Sequence, residues 1–258
     1  MKIVLLGSGN VASILGQALA EAKHDIVQVW SRKLNNAASL ANRLAASFTD
    51  NFADLLEADV YIIAVSDEAI PAVISQLPPT NRLVVHTSGA TPLEVFGDRF
   101  PSCGVFYPFQ TFSRNRVISF QTIPVLLEAK NDRSMLLMEE LANSLSDQVS
   151  HCNSQQRSAV HLAAAFACNF TNHLYHIADK LLKKEGLSFD VIRPLILETA
   201  LKVMDHPPGE VQTGPAARND QQTIDRHLSL LDGDKDLSDI YTRLTRRILD
   251  NRSPTKTT

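Results

Sequence analysis

The sequence predicts an α/β fold: a mostly parallel sheet in the first part of the chain, followed by an all-α second part. Three observations carry this. Short apolar runs at Lys2–Leu6, Asp25–Trp30, Asp59–Val65 and Leu83–His86 alternate with helical patterns, as in a parallel sheet with right-handed crossovers. The run DVYIIAV at Asp59–Val65 is continuous rather than alternating, which suits a strand buried on both faces. Near Asn153 the texture changes to an almost unbroken helical pattern.

The elements follow in order. After Lys2–Leu6 come glycines and then Val11, Leu15, Leu19 and Ala22 at helical spacing. Asn36–Ala46 is helical, and Pro78-Pro79 ends a helix over Ile70–Leu77. Gly104–Phe112 and Ile123–Glu128 read as further strands, the second followed by a helix over Ser134–Leu145. Ser154–Lys184 spans about eight helical turns and stops at Gly186, a C-cap candidate. Ser188 can cap a helix toward Asp205, in which Pro194 marks a kink or a late start. Helices over Gln221–Leu231 and Ser238–Leu249 complete the chain. The expected organisation is a sheet domain over 1–152, a helical domain over 153–252 and a disordered tail over 253–258.

At 258 residues with 44% hydrophobic and 21% charged residues, the composition is that of an ordinary globular chain that can bury a real core. A net charge of −3 and dispersed basic residues argue against a polyanion partner, so no nucleic acid is expected. No stretch approaches the roughly 20 apolar residues of a membrane span. Cys103, Cys152 and Cys168 form no CxxC pair, which argues against a disulfide framework and a metal site and for a reducing, cytoplasmic setting. Cys168, in an apolar helical run, is expected to be a small core residue. The apolar start could be an export signal, but Gly7-Ser8-Gly9-Asn10 interrupts the block that a signal requires.

Those same residues have another use. Gly7-Ser8-Gly9-Asn10-Val11-Ala12 fits GxGxxG/A directly after a strand and before a helix. Gly7 permits the tight turn, Gly9 lets a pyrophosphate approach the backbone, and Ala12 lets the helix pack on the strand. The free N–H groups of the helix N-terminus and its positive dipole end then face the phosphates. This is the pattern of a Rossmann-like dinucleotide-binding domain. The second strand ends in Trp30-Ser31-Arg32, where an NAD site usually carries an acid. A guanidinium and a hydroxyl suit the extra phosphate of NADP. Val65, Ser66, Asp67 and Thr87, Ser88, Gly89 follow the next two strands, at positions expected to meet the nicotinamide ribose. Asp67 serves either that site or the N-cap of the following helix.

In HLAAAFACNFTNHLYH, His161, Cys168 and Asn172 fall near one helical face, flanked by Asn169 and Tyr175. That face is either buried in a dimer or closes the nicotinamide pocket, with His161 exchanging a proton. In TGPAARND, Arg218 suits an anionic group, and Asp220 is either a helix cap or part of the site. GSGNVA, WSR, IAVSDEAI, HTSGA, YPFQTF, HLAAAFACNFTNHLY and TGPAARND with His227 together resemble a bacterial family assigned as NADP-dependent oxidoreductases. Its members carry a Rossmann-like domain and a helical domain of uncharacterised function. Its wider clan holds pyrroline-5-carboxylate reductase, ketopantoate reductase and the deazaflavin-dependent NADP oxidoreductases.

The resemblance implies hydride transfer at an interdomain cleft, in homodimers joined through the helical domains. The catalytic lysine of ketopantoate reductase has no counterpart here: the long helix has no Lys before Lys180, and Ala165 follows His161 four residues on. The resulting expectation is an NADPH-dependent oxidoreductase of a small carbonyl or imine compound. His161, Asn169, Gln110, Arg218 and Asp220 are the candidates for substrate handling. A non-catalytic dinucleotide sensor or interaction protein is the alternative that the absent lysine favours.

Overall fold

A computed structural model describes residues 1–113 and 118–251; the tail expected over 253–258 lies outside the described residues. The chain divides into two compact units, Met1–Leu174 and a second that begins at Tyr175, and each is described by itself.

The first unit is built on one sheet. Its elements are β1 (Lys2–Leu6), α1 (Asn10–Glu21), β2 (Asp25–Trp30), α2 (Leu34–Leu44), β3 (Ser47–Thr49) and β4 (Val60–Ile63). These are followed by α3 (Ile70–Gln76), β5 (Leu83–His86), β6 (Cys103–Pro108), β7 (Val125–Ala129), α4 (Asp132–Asn143) and β8 (Val149–His151). The strand order is β3-β2-β1-β4-β5-β6-β7-β8, parallel except for the β6–β7 pair. Strand order reverses between β1 and β4, and ligands in open α/β sheets bind outside the carboxyl ends at such a point.

Strand pleating sends alternate residues to opposite faces, and β1 shows it. Ile3 and Leu5 join one core with Leu15 and Leu19 of α1 and Leu40 of α2. Val4 and Leu6 join the other core with Ile70 and Val73 of α3 and with Phe96 and Phe100. The sequence expectation is met for the central strands and departs at the edges. β3 and β8 were not expected, because three residues are too few to show periodicity. The strand expected through Phe112 ends at Pro108.

α5 (Ser154–Ala164) continues through a π-helical turn at Ala165–Phe170 into α6 (Thr171–Lys184). The π turn carries an extra residue, so residues beyond it are turned out of the single face that an ideal helix assigns to His161, Cys168 and Asn172. Cys168 is exposed, which corrects the expectation of a core thiol.

The second unit holds the rest of α6, then α7 (Arg193–Asp205), α8 (Pro215–Arg218), α9 (Gln221–Leu230) and α10 (Lys235–Asp250). Pro194 lies in the first turn of α7 and marks its start, not a kink. His227 Nδ1 and the Tyr241 hydroxyl, 2.8 Å apart, tie α9 to α10.

Candidate functional site

The end of β1 and the start of α1 are shaped by two glycines with different reasons. Gly7 sits at φ +137°, and a Cβ there would lie 2.1 Å from the Ala64 carbonyl oxygen at the end of β4. Its N–H donates to Trp30 O at 2.8 Å, so the turn is locked to both neighbouring strands at the reversal point. Gly9 is exposed, and among the described residues a Cβ there would meet nothing within 4 Å. Among the described residues no contact requires a glycine at that position, which leaves room for a pyrophosphate to approach the backbone. Gly9 caps α1 without a side-chain acceptor, and the first turn carries no acid, so the helix end is electropositive. Ala12 is fully buried, and a Cβ on Gly16 would stand 2.7 Å from Leu5 Cδ1, which shows how closely α1 lies on β1. Val11 is half-buried, while the exposed Asn10 donates to Phe112 O at 3.2 Å.

At the end of β2, Ser31 is nearly buried and its hydroxyl lies 2.9 Å from that of Ser8, which joins the glycine turn to the strand end. Arg32 is exposed beside it and lines a cavity of about 760 Å³ with Trp30, Asp50, Phe52, Ser66 and Glu68. Trp30 and Phe52 form its aromatic wall, with ring centroids 4.3 Å apart. An aromatic wall beside a guanidinium suits an adenosine with a phosphate on its ribose, with Asp50 and Glu68 left to accept from its hydroxyl and amino groups. Ser66 belongs to this wall. Asp67 opens a short 3-10 turn without capping it through its side chain; the cap position is Ser66. A larger cavity of about 900 Å³ is bordered by α1, α2 and the 143–147 turn, and of the cofactor candidates it touches Ser8 alone.

The loop after β5 is held by its own side chains. The Thr87 hydroxyl donates to Ile63 O at 3.4 Å, and Ser88 Oγ accepts from the N–H groups of Ala90 and Thr91 at 3.1 and 2.9 Å. His86, fully buried, accepts on Nδ1 from Ser88 N–H at 3.2 Å, so the neutral ring carries its proton on Nε2. Burial, assisted by the Arg157 charge, pushes that imidazole down to about 4. These bonds fix both hydroxyls in the loop, with the Ser88 O–H left as a donor and the Thr87 oxygen as an acceptor beside the backbone of Gly89.

Gly89 faces a pair of side chains. Its hypothetical Cβ would lie 2.6 Å from Tyr107 Cζ, 2.7 Å from the Tyr107 hydroxyl and 2.8 Å from His161 Nδ1. The Tyr107 hydroxyl and His161 Nδ1 are 3.0 Å apart. Tyr107 comes from β6, whose residue Val105 pairs with His86, so the pair stands at the carboxyl ends of β5 and β6.

His161 arrives there because α5 is anchored. The Asn153–Gln156 capping box starts the helix, and Glu128 of β7 accepts from Ser154 N–H at 2.8 Å and from its hydroxyl at 2.7 Å. Arg157, 1% exposed, forms an ion pair with Glu128 and donates to Thr91 O at 2.8 Å. His161 lies one turn further along the same face, so this grip sets its direction toward Tyr107.

The other predicted residues are placed differently. Gln110 is exposed, and its Oε1 accepts from the N–H and hydroxyl of Thr111. Asn169 is exposed within the π turn. In the second unit, Asp220 caps α9 by accepting from Thr223 N–H and hydroxyl at 3.1 and 2.8 Å, and those bonds lower its carboxyl. Arg218 is exposed at the end of α8. Sequence reasoning missed Tyr107, His86, Glu128 and Arg157. YPFQTF was noted as a motif, but nothing in it says that its tyrosine meets a histidine 54 residues on. Among the described residues, no group of three or more His, Cys, Asp or Glu is placed to hold a metal ion.

Comparison with known proteins agrees with this geometry. Residues 2–88 match a family model described as NADP oxidoreductase coenzyme F420-dependent. Residues 123–248 match a domain of unknown function, DUF2520. A crystal structure from Bacteroides fragilis, of a protein assigned as an NADP oxidoreductase, is 40% identical with a TM-score of 0.89, over 96% of this chain and 98% of that one. The chain belongs to this NADP oxidoreductase family. The fold extends further. An imine reductase from Myxococcus stipitatus in complex with NADP+ is 14% identical with a TM-score of 0.70, over 97% of this chain and 94% of that one. A 1-pyrroline-5-carboxylate reductase from Streptococcus pyogenes is 14% identical with a TM-score of 0.62, over 97% of this chain and 98% of that one. No curated protein matches. For this family member, the Gly7–Gly9 turn, the Ser31–Arg32 strand end and the open space above Gly9 fit an NADP dinucleotide.

Proposed function

We propose that the chain is an NADPH-dependent reductase of a small imine or carbonyl compound. The observation that carries this is Gly9: its Cβ direction is open among the described residues, its helix end is electropositive, and it follows β1, which stands in strand order between β2, whose end leads to Arg32, and β5 and β6, whose ends carry Gly89 and Tyr107. The bound cofactor supplies the hydride. The protein's own residues divide the remaining work. Gly7, Ser8, Gly9, Asn10 and Val11 hold the pyrophosphate, with Ser31 and Arg32 on the added phosphate. Val65, Ser66 and Asp67 shape the approach from β4, and Thr87, Ser88 and Gly89 present backbone to the nicotinamide ribose. His161 handles a proton. Asn169, Gln110, Arg218 and Asp220 remain the candidates for substrate contact. The neighbouring imine and pyrroline-5-carboxylate reductase folds favour a C=N substrate.

The assembly we propose is a homodimer formed through the helices, in a cytoplasmic setting. Leu162, Phe166 and Phe170 are exposed along α5 and the π turn, as are Leu195, Leu197 and Leu201 along α7, and α6 and α7 bury no residue in a single chain. Apolar exposure of this extent on soluble chains marks an association surface. Among the described residues, no helix is long and apolar enough to cross a membrane. The domain limits we propose are 1–152, 153–252 and a tail.

Calorimetric titration with NADPH and NADH tests the cofactor, followed by a screen of cyclic imines and 2-oxo acids for NADPH oxidation. NADPH is expected to bind more tightly than NADH. A preference for NADH removes the role given to Arg32, and NADPH binding without turnover of any substrate favours the sensor.

A further inference from the structure

We propose that Tyr107 is a catalytic proton donor of this site, with His161 as the positioning residue that restores its proton. The proposal rests on the reductase reading and adds to it the group that meets the substrate. Three features of the pair point that way. It stands at the carboxyl ends of β5 and β6, against the loop that presents Gly89 and, in strand order, across β1 and β4 from the strand that leads to Arg32, which is where the reductase reading puts the hydride. The phenol oxygen and Nδ1 both crowd the position of a Gly89 Cβ, at 2.7 and 2.8 Å, so any side chain there would displace the pair. Tyr107 is half-buried on a rigid strand while His161 is exposed, so the phenol is the inner group and the imidazole the one in touch with water. Burial and then the charge of Asp67 raise the Tyr107 phenol, against the opposing Arg157. The phenol therefore stays protonated near neutral pH, as a donor must.

The proton and electron count closes. Hydride addition to the carbon of C=O or C=N leaves the π pair of that bond on the heteroatom. That pair takes the Tyr107 proton: the phenol O–H bond breaks and an O–H or N–H bond forms on the product. The phenolate takes the proton on His161 Nδ1, across the 3.0 Å contact, as Nε2 takes one from water, and exchange with solvent at the exposed ring restores the Nδ1–H tautomer before the next turnover. Substrate is reduced, NADPH is oxidised, and one proton is drawn from solvent per turnover. This sequence also answers the missing lysine. A phenol backed by an imidazole fills the acid role for which the lysine of ketopantoate reductase has no counterpart here.

The test uses the full-length chain, with Tyr107→Phe and His161→Asn variants and wild-type protein carrying tyrosine labelled with 13C at Cζ. Tyr107→Phe removes one oxygen and keeps the ring. It is expected to bind NADPH within about twofold of wild type and to lose at least about 100-fold in kcat. His161→Asn is expected to lower kcat without raising KM and to move the Tyr107 Cζ resonance. In wild type, that resonance is expected to shift when NADPH is added. Tyr107→Phe that turns over within about threefold of wild type overturns the proposal, as does a Tyr107 resonance indifferent to NADPH. Wild type that binds NADPH, shifts the Tyr107 signal and reduces no substrate in the screen overturns the reductase reading, and the proton-donor role falls with it. Wild type that reduces substrate while Tyr107→Phe does so equally well overturns the proton donor alone.

Discussion

The sheet of the first unit and the helices that follow it use apolar residues in opposite ways. β1, β4 and β5 place nearly every residue out of contact with water, on both faces of the sheet. α6, α7 and α10 bury none, although α7 carries Leu195, Leu197, Leu201 and Val203. The sheet finds its partners within the chain, whereas the helices present theirs outward. A helix with an amphipathic or all-round apolar surface is stabilised mainly by packing, so in the proposed dimer these helices would depend on association far more than the sheet does. Substitutions in the two regions should therefore fail differently, the first through unfolding and the second through loss of assembly.

The largest effect is expected at Gly7. Gly7→Ala forces a Cβ to within 2.1 Å of a backbone oxygen at positive φ, and should cost about 5 kcal/mol of stability, read by urea unfolding. A small shift would show that the turn yields and that the sheet is less rigid than its packing implies. Next comes Arg157→Met, which leaves Glu128 with its charge and without its guanidinium partner. About 4 kcal/mol should be lost, and Glu128→Gln combined with it should recover part of that, which a double-mutant cycle resolves.

His86 follows. Its imidazole is at about 4 in the folded chain against an ordinary 6.5, so the unfolded chain binds the extra proton first as pH falls. Its contribution is fully present above pH 6.5 and is lost progressively down to about pH 4, amounting to about 3 kcal/mol. Denaturation of wild type and His86→Gln across that window should show the slope in the first and its reduction in the second.

The smallest effect concerns the helices. Phe166→Glu should leave the monomer's unfolding nearly unchanged while weakening self-association by about 2 kcal/mol, roughly 30-fold in the dimer constant, by sedimentation equilibrium. Unfolding of that variant at low denaturant would instead place Phe166 in the chain's own core.

What the sequence disclosed follows the same division. The central strands, the glycine turn and the arginine after β2 depend on local rules of periodicity, φ and charge, and those are legible in a single stretch of letters. The three-residue edge strands are too short to show a period. The Tyr107–His161 pair and the Arg157–Glu128 anchor join residues 54 and 29 positions apart, and only the folded register brings them together. The π turn is a one-residue departure from 3.6 periodicity, and the face argument for His161 and Cys168 assumed that period throughout. Asp220 was legible as either a cap or a site residue; its geometry is that of a cap, and caps and binding carboxylates share the same letters.

Gly7 and Gly9, two residues apart, also separate two kinds of selection. A screen that reports only folding is expected to reject side chains at Gly7 and accept them at Gly9, where a Cβ meets none of the described residues within 4 Å. Under the proposed cofactor role, a screen that requires NADPH is expected to reject both. The difference between those two tolerance maps, taken over the whole chain, would outline the dinucleotide as the set of positions whose constraint belongs to the ligand and not to the protein.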